Sequence, residues 1–525
     1  MEKDRAQSQI EELVEQYTDR RGEYRSEDYL ESEVRSDFID PFFKALGWDV
    51  DNEKNRPLSL REVKQEASLK SEEGGTKKPD YEFRDDYGES LFYVEAKKPN
   101  RSVDSLSPAL QTRQYGWTAG MSFSILTNFE RLVVYDCTVP PEEDDRPHTA
   151  RLRVYNYTDY VEKFDEIYSL FSRSNVLEGS LEEEFGTPAE AAERKTFDEV
   201  FLEQLEDWRE TLAENIIKNN PDIDQDELNY FVHRLLNRII FLRIAEDRDL
   251  ETHERLKSLE DVSYESLVDI FEEADEKYNS DLFDLIDEYS DENLDIDSET
   301  LATVLEELYY PHSPYTFAVV ESDIIGRIYD LFLGKGLFIE DGELSVEEKP
   351  EVLHSQGAVT TPSSIVDSIV NESVTSQIEG KSPSELEEYS IGDICCGSGV
   401  FLTSAFESLV DHYRNWYTDH NKSEYLVEVG GNKRLKFEKR REILEEHVFG
   451  VDIDKLAVEV TRFNLMLKLL EDQPKALIEQ YETSDGFPLL PSLTGNIQNG
   501  NSLVDEDYYT EYDEGVGESV YAVNP

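Results

Sequence analysis

The sequence predicts a multidomain protein of class α/β plus α, and three observations carry that expectation. Residues 79–136 alternate strand-like and helix-like periods. Residues 196–335 hold helical periodicity almost throughout. Residues 391–402 (IGDICCGSGVFL) and 448–454 (VFGVDID) each read as an apolar strand ending in an acid, as in an open α/β sheet. With 525 residues the chain has the length for three or four domains and more than enough core. The expected divisions are 1–175, 176–345 and 346–525.

The elements follow in order. Residues 1–46 read as helices, with Ile10, Leu13, Val14 and Tyr17, then Val34, Phe38, Ile39, Phe42, Phe43 and Leu46, at helical spacing. PDYEFRDD and ESLFYVEAKKP read as two strands, a helix is expected near 108–119, and FSILTNFERLVVYD supplies two more strands. VPPEEDDRPH at 139–148 is a charged, proline-rich loop, and the acidic, alanine-rich stretch 176–195 is a linker. KTFDEVFLEQLEDWRETLAENI and ELNYFVHRLLNRIIFLRIAEDRDL open the helical region. The dense acids of 275–300 surround Phe283, Leu285 and Ile286, which suggests a solvated helix face rather than a metal cluster. The chain turns polar near 346–356, and GAVTTPSSIVDSIV begins the last domain.

Composition narrows the setting. Acids number 118 against 52 Lys and Arg, a formal net charge of -66, yet 38% of residues are hydrophobic and 11% aromatic. That is too much core material for an acidic disordered chain. An acid-coated globular protein suits molar salt, where the Debye length falls to ~3 Å and self-repulsion is screened. A cytoplasmic location in an extreme halophile is the expectation. Counterion release then contributes little to any binding of nucleic acid, so basic residues should survive only locally, inside sites. The three cysteines, Cys137, Cys395 and Cys396, form no zinc or disulfide pattern. The charged N-terminus does not read as a signal peptide, and no apolar run approaches the ~18 residues of a membrane span, so no membrane partner is expected.

The glycine turn Gly397-Ser398-Gly399 sits between a strand ending at Asp393 and an apolar helix (Phe401, Leu402, Ala405, Phe406, Leu409). Such a loop has no side-chain bulk and lets a cofactor lie against backbone N–H groups at a helix N-terminus. The second acid, Asp452, is placed to accept hydrogen bonds from ribose hydroxyls. A dinucleotide fingerprint is excluded: Leu402 fills the third glycine position, and Asp452 follows Asp393 by 59 positions rather than the ~20 of that fingerprint. The set D-x-x-C-G-x-G…V-D-I-D resembles the S-adenosylmethionine site of N6-adenine DNA methyltransferases, whose domain is Rossmann-like. That resemblance implies that Asp393, Cys396, Gly397 and Gly399 line the methionine side, that Asp452 holds the ribose and that Ile453 packs on adenine. A G-x-Y-Y-T-P segment of that family reads Gly357-Ala358-Val359-Thr360-Thr361-Pro362 here, without its tyrosines, leaving Thr361 and Pro362 as matches. GNIQNGNSL places Asn501 where a polar side chain would reach the adenine edge.

The N-terminal α/β region holds a second constellation. Asp80 follows Pro79 at a strand start, and Glu95 and Lys97 share one face of the next strand. Two carboxylates on neighbouring strands can share a hard Mg²⁺ ion, with the lysine beside it. The pattern resembles the PD-(D/E)XK nuclease core. By that resemblance Glu33, on the preceding helix, is a supporting acid, and Gln111 with Tyr115 forms a Q-x-x-x-Y motif that supports the active site or DNA contact. Lys97, Lys98, Arg101 and Arg113 make this the least acidic stretch of the chain.

The order of nuclease core, helical connector and methyltransferase domain resembles Type IIG restriction–modification polypeptides, which cut and methylate double-stranded DNA. RLLNRIIFLRIAEDRDL and DIIGRIYDLFLGKGL look like that family's spacer. One departure stands out: no N-P-P-Y or N-P-P-F occurs. Asn220-Pro221 precedes Asp222 in a connector turn, and ESVYAVNP resembles the N-P-F-D-W segment that precedes the catalytic strand. The expectation is a chain that stops short of the catalytic motif and the target-recognition domain, with a possible second chain supplying them. Two other readings compete: an autonomous Mg²⁺-dependent nuclease with a vestigial cofactor domain, and a non-catalytic DNA-binding subunit of a phage-defence complex.

Overall fold

The computed structural model describes residues 2–54, 56, 60–65, 78–186, 195–259, 261–278, 282–283, 294–320, 322–340, 343–349, 361–429, 432–471, 473 and 489–503. It divides into two compact units, Met1–Val200 with Glu307–Val320, and Phe201–Glu306 with Glu321–Pro525.

In the first unit, helix α1 (Glu2–Tyr24) buries Ile10, Leu13 and Tyr17, the apolar stripe expected of it. Helix α2 (Glu31–Val34) runs through a π-helical turn, Arg35–Ile39, into α3 (Asp40–Ala45). Six strands follow: β1 (Val63–Gln65), β2 (Tyr81–Arg84), β3 (Ser90–Ala96), β4 (Phe123–Thr127), β5 (Arg131–Asp136) and β6 (Arg151–Asn156). They lie in sequence order across one sheet. Only β3 and β4 pair in parallel, and α4 (Leu106–Thr118) makes the crossover between them. Every residue of β4 is buried, the pattern of a strand covered on both faces. Phe83 stacks on Phe92 across β2 and β3, with ring centroids 4.5 Å apart, and Tyr17, Phe38 and Phe129 close the core from the helical side. The strand–strand–helix–strand–strand order expected over 79–136 is present. Strands β1 and β6 were not anticipated: β1 has three residues, and the half-buried Arg151 and Arg153 of β6 carry little hydrophobic signal.

The second unit joins a helical bundle to a small parallel sheet. Helix α5 (Gln225–Asp247) begins at Asp224, whose carboxylate caps the Glu227 N–H while Glu227 returns to the Asp224 N–H. It is buried from Tyr230 to Asp247, arginines included. Arg243 pairs with Asp247 at 2.6 Å, and Arg238 donates to the Leu282 carbonyl at 2.9 Å while its guanidinium lies 5.2 Å from the Phe271 ring centre. Helix α6 (Ser322–Leu333) packs on α8 (Lys455–Leu470), with Tyr329 against Phe463. Strands β7 (Ile391–Asp393), β8 (Val448–Asp452) and β9 (Ile497–Asn499) form the sheet in the order β9-β8-β7, all parallel. Helix α7 (Val400–Asp419) follows β7, and α8 connects β8 to β9. The pairings Asp393 with Gly450 and Asp452 with Asn499 bring the three carboxyl ends to one edge, where such sheets bind ligands. Helices of the expected connector, within 201–306, share this unit with the glycine loop. Among the described residues, no helix is long and apolar enough to cross a membrane.

Candidate functional site

The first candidate site lies on β2 and β3. Tyr81 pairs with Val94 in antiparallel register, which sets Asp80 opposite Glu95. Asp80 Oδ2 accepts from the Ala96 N–H at 2.7 Å, and Asp80 Oδ1 accepts from Arg35 Nη1 at 3.0 Å. Arg35 comes from the π-helical turn and is buried over the Tyr81 ring; Tyr81 in turn donates to Asp40 at 2.7 Å. Lys97 Nζ makes a close ion pair with Glu95 Oε1. The other carboxylate oxygen, Oε2, is buried without a hydrogen-bond partner. Burial, and then the charge of Asp80, push the Glu95 carboxyl up to about 8, against the pull of Lys97. Burial would lower Lys97, but Glu95, Glu31 and Asp80 outweigh it and hold the ammonium above its usual range.

The helix acid differs from the one expected. Glu33 Oε2 accepts from the Leu30 N–H at 2.6 Å, so it caps the start of α2. Glu31 is the acid that feels Lys97 and Asp80, and burial, chiefly, raises its carboxyl. Residues two apart on a helix point to different sides, so only one of them can face the strands. Gln111 donates to the Tyr115 hydroxyl at 2.7 Å, one turn along α4, and Tyr115 is buried with Tyr93, Met121 and Ala318.

The donors suit a hard divalent cation: they are oxygens, one of them a buried acceptor with nothing to accept from. Asp80 still has a second lone pair on each bonded oxygen. Among the described residues no group of three or more His, Cys, Asp or Glu could hold a metal ion. The protein would therefore supply part of a shell, as Mg²⁺ sites completed by water and phosphate do.

The second candidate site is the carboxyl edge of the parallel sheet. Gly397 and Gly399 have φ of +54° and +85°, which side chains rarely adopt. The loop's N–H groups are not left for a ligand, as the sequence suggested. Cys395 N–H donates to Asp393, Cys396 N–H to the Val451 carbonyl, Gly397 N–H to Asp452 Oδ2 at 2.9 Å, Ser398 N–H to Asp330 Oδ1 at 3.2 Å, and Gly399 N–H to the Cys396 carbonyl. The loop is short enough that nearby acids and carbonyls reach every one. Among the described residues, Asp330, Asp393 and Asp452 have no Lys or Arg ion-pair partner. Such an edge repels phosphate and suits a cationic ligand.

Apolar groups flank these acids. Ile394 and Ile453, each following the last residue of its strand, are 61% and 74% exposed. Cys396 is buried, its thiol pushed up to about 12 by that burial, and it contacts Thr461 at 3.6 Å; this is a packing role rather than a nucleophile's. Asn501 lies in an exposed turn where its side chain accepts from the Leu503 N–H. Asn499, which sequence reasoning passed over, donates to the carbonyls of Asp452 and Ile453 at 3.1 and 3.0 Å and fixes that turn. Its signal was present as one of three asparagines in GNIQNGN, but nothing ranked them. Asp330, also missed, lies outside any glycine-loop motif. Thr361 is half-buried and Pro362 begins the helix Ser363–Val370, which meets α7 through Asp367 and Ser404. Residues 357–360 and the ending ESVYAVNP lie outside the described residues.

Residues 320–485 match the N-6 DNA Methylase family. The Escherichia coli type II restriction enzyme and methyltransferase RM.Eco57I is 38% identical over 521 residues, 98% of this chain and 51% of that protein. A putative type II restriction enzyme and methyltransferase of Methanocaldococcus jannaschii, RM.MjaORFECS2P, is 24% identical over 55% of this chain and 28% of that one. A solved Type IIL restriction-modification enzyme, MmeI in complex with DNA, overlaps 57% of this chain and 40% of its own at 12% identity, with a TM-score of 0.35. The chain spans about half the length, or less, of the curated relatives it matches. It is thus a homologue of the type II restriction enzyme–methyltransferases, with an N-6 DNA methylase domain across residues 320–485.

Proposed function

We propose that the chain is the nuclease and cofactor-binding portion of a cytoplasmic restriction–modification enzyme acting on double-stranded DNA. Residues 1–175 serve as a Mg²⁺-dependent PD-(D/E)XK endonuclease, 176–345 as a helical connector, and 346–525 as the front part of a Rossmann-like, S-adenosylmethionine-dependent adenine-N6 methyltransferase domain. The observation that carries this reading is the 38% identity to a type II restriction enzyme and methyltransferase over nearly the whole chain.

At the N-terminal site, Asp80 and Glu95 would hold the cation, and Arg35 and the Ala96 N–H keep Asp80 in place. A bound Mg²⁺ supplies a more acidic water and neutralises charge building on the phosphate. Lys97 stays protonated beside Glu95 and offsets phosphate charge; Glu31 adds negative charge within electrostatic reach of Lys97 and Asp80. At the C-terminal site, three carboxylates without basic partners favour a sulfonium over a nucleotide phosphate, and Ile453 and Ile394 offer apolar surface to an adenine ring. S-adenosylmethionine would supply the methyl group. No N-P-P-Y or N-P-P-F motif, which would hold the flipped base, occurs in this sequence.

The test uses the full chain in high salt. Mg²⁺-dependent cleavage of duplex DNA should be lost in Lys97→Ala while S-adenosylmethionine binding, read by calorimetry, is kept. Asp452→Ala should do the reverse. Cleavage unaffected by Lys97→Ala, or cofactor binding unaffected by Asp452→Ala, would refute the corresponding assignment.

A further inference from the structure

Helix α6 lies more than sixty residues before the glycine loop in sequence, yet it delivers a carboxylate to that loop. Asp330 Oδ1 accepts from Ser398 N–H at 3.2 Å and lies 3.7 Å from where a β-carbon on Gly397 would be. The neighbouring N–H, of Gly397, is held by Asp452. Two acids from different helix and strand elements thus grip adjacent amides of one turn. Burial, and to a smaller degree the charge of Asp452, raises the Asp330 carboxyl against the pull of its hydrogen bond from Ser398. Asp330 is only partly exposed and, among the described residues, has no Lys or Arg partner.

A capping role alone does not account for this arrangement. The Ser398 N–H needs an acceptor, and a neutral asparagine or serine could provide one without placing charge near Asp452. A partly buried carboxylate close to a like charge is costly unless a cation offsets it. Among the described residues no cation pairs with Asp330: Lys349, whose backbone N–H bonds to the Gly334 carbonyl just past α6, is held by Asp454 at 2.7 Å. On α6 itself Arg327 lies one turn earlier, but no ion pair links it to Asp330, and from α8 the contacts to the loop are those of Thr461 and Asn464, both neutral. The compensating charge must come from what binds at the edge.

We propose that Asp330 is a cofactor-selecting residue: its negative charge, set against the glycine turn, makes the site prefer a cationic sulfonium ligand over the neutral thioether left after methyl transfer. The inference rests on the S-adenosylmethionine reading of this site and extends it to a residue of the helical region. Preference for the sulfonium form favours loading of fresh cofactor and release of spent cofactor.

The experiment compares binding of S-adenosylmethionine and S-adenosylhomocysteine to the full chain by calorimetry at one fixed ionic strength, for the parent, Asp330→Asn and Asp330→Ala. Asparagine keeps an acceptor for Ser398 N–H and removes the charge. Asp330→Asn should weaken the sulfonium ligand roughly five- to tenfold, the order expected for loss of one nearby charge at a partly buried site, and should barely change the thioether. Its thermal midpoint should match the parent. Asp330→Ala should show the same lost preference together with a lower midpoint. An unchanged ratio of the two affinities in Asp330→Asn, with the parent binding both ligands, overturns the role of Asp330 alone. A parent chain that binds neither ligand overturns the cofactor reading and this inference with it.

Discussion

Replacing Gly399 by alanine tests the loop geometry directly. Gly399 has φ of +85°, and a β-carbon there would lie 2.8 Å from Cγ2 and 3.1 Å from Oγ1 of Thr461. A non-glycine residue in left-handed backbone costs ~1–2 kcal/mol. Overpacking against a buried side chain adds ~1–3 kcal/mol. Thr461 cannot swing away freely, because its hydroxyl donates to the Gly397 carbonyl at 2.7 Å. Together these give a destabilisation of about 2–5 kcal/mol for the second unit. Thr461→Ala alone should cost ~0.5–1.5 kcal/mol through that lost hydrogen bond. In the double variant most of the steric part is relieved, with only the β-carbon of residue 461 left at 3.2 Å, and the backbone strain remains, so the coupling should be about 1–2 kcal/mol in the rescuing direction. Urea unfolding combined with hydrogen exchange on the first turn of α7 reads the effect where it arises. A Gly399→Ala chain within ~0.5 kcal/mol of the parent, or a double variant that is strictly additive, would refute the argument.

Three further outcomes are expected. Glu31→Gln should weaken Mn²⁺ binding, measured by electron paramagnetic resonance, whereas Glu33→Ala should leave it unchanged and cost ~0.5–1.5 kcal/mol of stability as a lost cap; metal binding that falls in Glu33→Ala and not in Glu31→Gln would reverse the assignment of the two acids. His233 is buried and stacked on Phe332, and burial lowers its imidazole to about 3, so the folded state keeps it neutral. Its folded value lies below the unfolded ~6.5, so stability is lost as pH falls through that window, by about 1.4 kcal/mol per unit; His233→Leu should flatten the slope of unfolding free energy between pH 6 and 4, and an unaltered slope would count against neutral burial. Asn499→Ala should free the Asp452–Ile453 turn and weaken S-adenosylmethionine binding several-fold by calorimetry without altering DNA cleavage.

Much of the site was legible because local chemistry dictated it. Asp80, Glu95 and Lys97 could be read from strand period, since alternation alone puts 95 and 97 on one face and register brings 80 opposite. The glycine turn was legible because left-handed backbone demands glycine. What sequence reasoning missed came from distance or from rotation. Asp330 reaches Ser398 from a helix 68 residues away in sequence. Glu31 and Glu33 differ only in which side of a short helix faces the sheet, and the π-helical turn that follows alters that phase beyond what a regular period predicts. The loop amides were expected to be open; all but that of Gly399 find their acceptors on β7, β8 and α6, so no reading of the loop alone could have counted them.

Helix α5 places guanidinium groups inside a protein whose surface is overwhelmingly acidic. Salt reaches the outer charges and damps their repulsion, but it hardly touches Arg243 with Asp247, or Arg238 against Phe271. Diluting the salt therefore raises the strain on the exterior and leaves the interior attractions as they were. The bundle's polar centre acts as ballast: it holds one value across ionic strengths that change everything around it, and it leaves the acid coat alone to set the salt at which the chain lets go.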